Sequence, residues 1–418
     1  MKTLYDTIAE FISGDWGCEA ESDSATQSGY CIRAADIIPI ETHDYSTIPQ
    51  RFVSQSSFDQ RHLIKGDIVI EKSGGSPTQS TGRAVYISQS LLSAKRNIIC
   101  SNFCTAIRLK PEWNPYFVYQ YWRQVYNSGV FFNYEGKTSG LKNLQLEVAL
   151  KSIPIPEIDL PTQLRIAGVL GSLDEKIELN RKKIAELEAL AKTIYDYWFV
   201  QFDFPDKNGK PYRSSGGKMV WNEQLKREVP EGWEVKPLPQ IANYLFGNPF
   251  DSSLFNATGE GFPIVRIRNV KDGHTNDYTT ETASKEYIIT NGDFIVGMDG
   301  YFDMNHWIGG NAYLVQRSCR ISAKDNLYAS WLSLSLVIPI KHLEKSLTGA
   351  TLAHLGKAHL DKIVLPLPPQ SMSIALSLLN NIVKQKVHLG VANLELNRQC
   401  SALLPLLMNG QVSVGELK

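Results

Sequence analysis

An α+β fold built twice over is what this sequence predicts: two similar globular domains separated by two long antiparallel, coiled-coil-like helices, with a pseudo-twofold internal repeat. Three observations carry the prediction. Thr162–Val200 has no proline, and its apolar residues Ile166, Leu170, Leu173, Ile177, Ile184, Leu187, Ala191, Ile194 and Trp198 keep a 3.5-residue seam with Asn180 at the one missing rung. A second seam runs through Leu379, Ile382, Lys386, Leu389, Asn393, Leu396, Cys400 and Leu403. The third observation is that short motifs of the first half recur in the same order in the second.

The chain divides as follows. Residues 1–157 form the first globular part, with strands expected at Asp67–Ile70, Ala84–Ser88 and Thr105–Leu109, each short, β-rich and bounded by turn residues. Tyr116–Tyr126 reads as helix, and Pro154 and Pro156 forbid helix at the exit. The central long helix occupies 158–200, with Thr162 as its expected N-cap and a length of roughly 57 Å. A linker follows at 201–232, where Phe204–Tyr212 and Gly216-Gly217 are turn chemistry. The second globular part is 233–369, with strands at Pro263–Arg268, Asp293–Val296 and Ala312–Val315 and a helix at Tyr328–Leu336. The second long helix and a tail fill 370–418, the helix running from Gln370 to about Leu404, with Pro405 and Asn409-Gly410 ending it. Gly390 inside it costs about 1 kcal/mol against Ala and predicts a close helix crossing there.

The repeat supplies the internal alignment. Ile8-Ala9 with Gly14 matches Ile241-Ala242 with Gly247, and Gly29-Tyr30 with Arg33 and Asp36 matches Gly261-Phe262 with Arg266 and Asn269. Lys65-Gly66-Asp67 matches Asn291-Gly292-Asp293, Gly82-Arg83-Ala84 matches Gly310-Asn311-Ala312, and Ile153–Pro156 matches Leu365–Pro368. Ile184-Ala185 matches Val391-Ala392 in the long helices. Asn180 and Asn393 hold corresponding places in the two seams, where a buried Asn fixes register between paired helices at some cost in stability; the alternative is that both lie exposed at helix ends or kinks.

Composition narrows the function. Lys plus Arg and Asp plus Glu number 43 each, so the net charge is zero, which weighs against indiscriminate nucleic-acid binding but not against a reader whose positive charge is local. No apolar run is long enough to span a membrane, and Met1–Asp6 is not a signal peptide, so the expected location is cytoplasmic, with Cys18, Cys31, Cys100, Cys104, Cys319 and Cys400 as reduced thiols. Cys100 and Cys104 lack the paired spacing of a zinc site, and no metal is expected. Asn114-Pro115-Tyr116 and Asn248-Pro249-Phe250 lack the second proline of an adenine methyltransferase motif. There is no phosphate-binding G-x-x-x-x-G-K-[ST] loop either. The His43-Asp44 and Asp303/His306 neighbours read as chance adjacency rather than acid–base pairs. No catalytic residue is assigned.

The chain resembles the specificity (S) subunits of Type I restriction–modification systems over nearly its whole length. The resemblance is carried by the central block T-Q-L-R-I-A-G-V-L-G-S-L-D-E-K-I-E-L-N-R from Thr162, by Y-D-Y-W-F-V-Q-F-D-F-P from Tyr195, and by P-E-G-W-E-V at 230–235. Residues 71–78, 348–357 and 403–414 add to it. It implies that 1–157 and 233–369 are target-recognition domains, each reading one half of an asymmetric bipartite site in double-stranded DNA. It also implies that the long helices hold two methyltransferase (M) subunits, with restriction/translocase (R) subunits added for cleavage. Adenine methylation and cleavage then belong to the partners, as do S-adenosylmethionine, ATP and Mg, and this chain needs no cofactor of its own.

Base reading requires hydrogen-bonding side chains on loops that reach the groove. In the first half those loops are Lys72–Thr78, with Lys72, Ser73, Gly74 and Thr78, and Gly136–Asn143, with Lys137, Thr138, Lys142 and Asn143. In the second they are Met298–Trp307, with Asp299, Asn305 and His306, and Thr348–His354, with Thr348, Thr351 and His354. Arg266 and Arg268 are expected on one face of a strand, reaching DNA or a partner, or pairing with Asp272 or Asp293. A repeated-domain scaffold that binds protein or glycan is the alternative function, and a methyltransferase with a degenerate site is a third. Helical turns inserted after Asn180 are expected to lengthen the spacer and leave the half-sites alone.

Overall fold

Alternation decides the first sheet. In the strand Ile68–Glu71, Ile68 and Ile70 face one apolar cluster with Phe117 and Trp122, while Val69 faces another with Ile32 and Ile98. A computed structural model describes residues 2–76, 78–138, 141–347 and 353–411, the side chains of Lys137, Thr138 and Leu141 apart. It divides into two units. One holds Met1–Glu178 and Leu396–Lys418; the other holds Leu179–Glu395.

The first unit contains a four-stranded antiparallel sheet in the order Ile8–Ser13, Cys104–Leu109, Ile68–Glu71, Ala84–Tyr86. A second sheet pairs Gln27–Ile32 antiparallel to Gln50–Val53 and parallel to Ile98–Cys100. The helix Pro115–Asn127, capped by the Asn114 side chain, buries Phe117 and Trp122 against the first sheet. Ile166, Leu170, Leu407 and Met408 from the two long helices complete that core.

The second unit repeats the plan. Its four-stranded sheet runs Ala242–Phe246, Ser318–Ala323, Phe294–Gly297, Met304–His306, all antiparallel. Its other sheet again contains one parallel pair, Phe262–Val265 with Ala312–Leu314. The helix Ala329–Leu347 buries Trp331, Leu332 and Leu336.

Hydrogen bonds establish which residues correspond. Ile64 N–H donates to Asp67 Oδ2 and Thr290 N–H to Asp293 Oδ2, both at 2.8 Å, across the turns of Gly66 (φ 100°) and Gly292 (φ 96°). Asp67 then receives Arg108 at 2.9 Å, and Asp293 receives Arg320 at 3.4 Å. A Cβ on Gly14 would lie 1.9 Å from Ser101 O, and one on Gly247 2.1 Å from Val315 O, so both positions exclude any side chain for the same reason.

The same bonds correct one match. Ile87 N–H donates to Asp67 O and Trp307 N–H to Asp293 O, so Ala84–Tyr86 corresponds to Met304–His306. The Gly310-Asn311-Ala312 run instead enters the parallel strand that answers Ile98–Cys100, so its similarity to Gly82-Arg83-Ala84 is out of register. Likewise Leu4 N–H donates to Ile153 O and Leu238 N–H to Ile363 O, which shifts the proline-rich exits by two residues.

The long helices are Leu160–Tyr195, continued by a π-helical turn Asp196–Val200, and Ser373–Met408, entered by a 3-10 turn. The first begins two residues before Thr162, which is therefore within the first turn and not the N-cap. The second passes through Pro405 because burial of Leu407 and Met408 outweighs the one hydrogen bond a proline removes near a helix end. The seams are as expected: Ile166, Leu170, Ile177, Asn180 and Ala191 are buried on one helix, and Leu379, Ile382 and Asn393 on the other. Within the second unit Asn180 Nδ2 donates to Asn393 Oδ1 at 2.8 Å, and Lys386 pairs with Glu188 at 2.8 Å, so the helices run antiparallel there. Gly390 is a close approach, but to Ile308 of the globular part and not to the other helix: a Cβ there would stand 3.2 Å from Ile308 carbons.

The stretch 201–232 carries a hairpin, Met219–Asn222 with Arg227–Pro230. Phe204 stacks on Tyr212 and Trp233, and Phe202 meets Trp233 edge-on. No helix among the described residues is long and apolar enough to cross a membrane.

Candidate nucleic-acid interface

In each unit two loops far apart in sequence close on one another beside the four-stranded sheet. In the first, Ser73-Gly74 forms an edge of a small antiparallel sheet with Leu141–Leu144 and Glu135–Thr138, pairing Ser73 with Asn143 and Gly74 with Lys142. Ser73 Oγ donates to Asn143 Oδ1. In the second, Asp299 pairs with His354 through an antiparallel bridge, and Asp299 Oδ1 meets His354 Nδ1 at 2.6 Å. Leu144 N–H donates to Lys72 O at 2.8 Å and Leu355 N–H to Met298 O at 2.7 Å, so the two closures are the same closure.

The supports differ. Under the first loop, the fully buried Glu71 carboxylate takes a two-pronged pair of bonds from Arg83 at 2.6 and 2.8 Å. Gly74, at φ 147°, is needed because a Cβ there would sit 2.3 Å from Glu71 Oε1. Lys142 pairs with Glu135 at 2.8 Å and lies over the Phe132 ring at 4.9 Å. Burial raises the Glu135 carboxyl, but Lys142 and the Thr81 N–H outweigh it and hold the group below the usual carboxylate range. Under the second loop, the half-buried Asp299 carboxylate takes that place, and its other oxygen forms an ion pair with Arg317 Nη1 at 2.9 Å.

Of the residues expected from sequence, Lys72, Ser73, Gly74, Lys142 and Asn143 come together, with Lys137 and Thr138 on the adjoining strand. Thr78 sits in an exposed turn, its N–H on Ser76 Oγ. Asp299 and His354 come together in the second unit, while Thr348 and Thr351 lie outside the described residues.

Asn305 and His306 are not part of that cluster. Asn305 Nδ2 donates to Lys271 O at 2.8 Å. His306 packs on Phe294, ring centroids 5.3 Å apart, and burial with nearby Lys386 lowers its pKa to about 3. Arg266 and Arg268 do not share a strand face, because the strand ends at Val265. Arg266 is the N-cap of the short helix Ile267–Val270, its N–H on Asn269 Oδ1 at 2.9 Å, as Arg33 N–H is on Asp36 Oδ2. Arg268 pairs with Asp277 at 2.5 Å, not with Asp272 or Asp293.

The profile described as the Type I restriction modification DNA specificity domain matches residues 49–189 and 230–384. The chain belongs to this family. It is 32% identical over 142 residues to the specificity subunit of the Type I restriction enzyme EcoBI of Escherichia coli, covering 34% of this chain and 30% of that one. It is 26% identical over 287 residues to the MjaIX specificity subunit of Methanocaldococcus jannaschii, covering 64% and 62%. The matched stretches thus span less than two thirds of either relative. The S subunit of a Type-I restriction-modification system from M. genitalium shares the fold, with a TM-score of 0.57 at 15% identity over 100% of this chain and 96% of that one.

Within this specificity-domain chain, sequence reasoning missed Glu71, Arg83, Glu135 and Arg317. Arg317 left no signal in the sequence repeat: Asn102-Phe103 and Gln316-Arg317 share no residue, and their equivalence shows only in the structure, where both immediately precede a strand, Cys104–Leu109 and Ser318–Ala323.

Proposed function

We propose that this chain is a non-catalytic specificity subunit that reads an asymmetric bipartite site in double-stranded DNA and directs adenine methylation and cleavage by partner subunits. The observation that carries this reading is the pair of loop closures, Ser73–Asn143 and Asp299–His354, at one place in a duplicated scaffold but with different hydrogen-bonding chemistry. Equivalent placement suits two half-sites, and different side chains suit two sequences. Two methyltransferase subunits dock on the long helices, where a groove in the second unit is lined by Leu187, Leu190 and Leu389 and rimmed by Lys183, Glu186 and Lys384. Restriction subunits join for cleavage. S-adenosylmethionine, ATP and Mg act in the partners, and the complex works in the cytoplasm beside its DNA.

Gel-shift titration of the chain with its methyltransferase subunits, against DNA carrying and lacking the sites methylated in the host, tests this reading. Sequence-selective retention is expected. Equal binding to all DNA would remove the reading and leave a scaffold function.

A further inference from the structure

The two loop closures share a third member whose chemistry differs completely between the units. Lys72 N–H donates to Phe103 O at 2.8 Å, and Met298 N–H donates to Arg317 O at 2.9 Å. Phe103 and Arg317 therefore occupy the same turn tip, each one residue before the strand that leaves it. Phe103 is 55% exposed and has no side-chain hydrogen bond to offer. The Arg317 side chain is 63% exposed, whereas its partner Asp299 is 12% exposed. Asp299 thus holds two outward-facing cationic or polar groups at once, Arg317 on Oδ2 and His354 on Oδ1. Arg317 also sits at φ 70°, a conformation a side-chain-bearing residue adopts at a cost. An exposed ion pair contributes too little to folding to account for that cost. A guanidinium fixed before binding does account for it, because less side-chain freedom is lost when the target arrives.

We propose that Arg317 reads a guanine in the half-site of the second domain, with Asp299 as its positioning residue, and that Phe103 makes the corresponding apolar contact in the first. The inference rests on the DNA-reading function proposed above and assigns one base to one residue. Asp299 meets the guanidinium through Nη1 alone, as an ion pair at 2.9 Å, which leaves the fork of Nε and Nη2 for O6 and N7 in the major groove. Phe103 at the same tip can recognise only an apolar edge, such as a thymine methyl. The two half-sites therefore differ at the base that faces this turn.

The test maps methylated adenines in cells that express the full complex with either Arg317→Ala, Arg317→Lys or Phe103→Ala, against the unaltered chain. Both Arg317 variants are expected to make one guanine of one half-site degenerate, discrimination there falling roughly tenfold to a hundredfold, while the other half-site stays fixed. Phe103→Ala is expected to relax only the other half-site. Arg317→Lys keeps a cation beside Asp299, so it decides the matter if Arg317→Ala does not assemble. An unchanged motif in Arg317→Lys would overturn the assignment. So would a uniform drop at every site, the mark of a phosphate contact, or loss of all methylation by an assembled complex. Absence of any bipartite motif with the unaltered chain would instead remove the DNA-reading function itself.

Discussion

Asn180 is buried in a helix seam and His306 is half-buried against Phe294, and the two respond to mutation in different ways. Asn180 donates to Asn393 at 2.8 Å in the seam of the long helices. Asn180→Leu replaces this donor to the Asn393 amide by an apolar side chain in a buried seam and is expected to destabilise by about 1–3 kcal/mol. Adding Asn393→Leu should recover most of that loss while weakening register. Urea unfolding of the two single variants and the double variant measures the coupling, and strictly additive losses would count against a working pair. His306 has its pKa lowered to about 3 by burial and by Lys386. The unfolded chain takes up this proton below about pH 6.5 while the folded chain refuses it until about 3. The contribution is thus complete above about 6.5 and is lost as pH falls through that window, at no more than about 1.4 kcal/mol per pH unit. His306→Gln should flatten the urea midpoint between pH 6.5 and 5, and an unaltered slope would show that the ring is not held neutral. At the cysteines, burial pushes the Cys31 thiol up to about 12 and that of Cys104 to about 11, so neither is a reactive thiolate near neutral pH.

At the scale of the elements, Gly14 and Gly247 each close a strand against the carbonyl groups of a neighbouring turn. Gly14→Ala and Gly247→Ala should each destabilise by at least about 2 kcal/mol, read as separate shifts in thermal unfolding. Tolerance of alanine at either site would mean that the backbones do not approach so closely. Both glycines were visible in the sequence as a repeated motif, as were the Gly66-Asp67 and Gly292-Asp293 turns, because a positive φ and a local carboxylate bond leave a fixed residue signature. The helical seams were legible because a 3.5-residue period survives for several turns. The candidate site was legible only as two loops per half. Nothing periodic joins Ser73 to Asn143 or Asp299 to His354, since tertiary folding alone brings them together. His306 was misjudged because Met304–His306 is too short a strand for alternation to reveal its face. Arg266 and Arg268 were misjudged because a one-turn helix leaves almost no period to read.

At the scale of the whole molecule, two 36-residue helices contribute to both units. If they act as the ruler of the bipartite site, adding one heptad to each, after Glu178 and after Glu395, preserves the seam and adds about 10 Å. The methylated motif should then gain about three base pairs of spacer at 3.4 Å each with both half-sites unchanged. Mapping of methylated adenines reads this directly, and altered half-site bases would refute the ruler. The division of the chain also fixes an order of assembly during synthesis. The second unit is one continuous stretch, whereas the core of the first is closed by Leu407 and Met408, which are 2% and 1% exposed. The ribosome must therefore make all of the second unit before the first can be finished, although domains usually fold in the order in which they emerge. A message broken between the codons for Glu395 and Leu407 yields a chain whose earliest-made domain still shows an open apolar face, and such a face is what chaperones and proteases recognise.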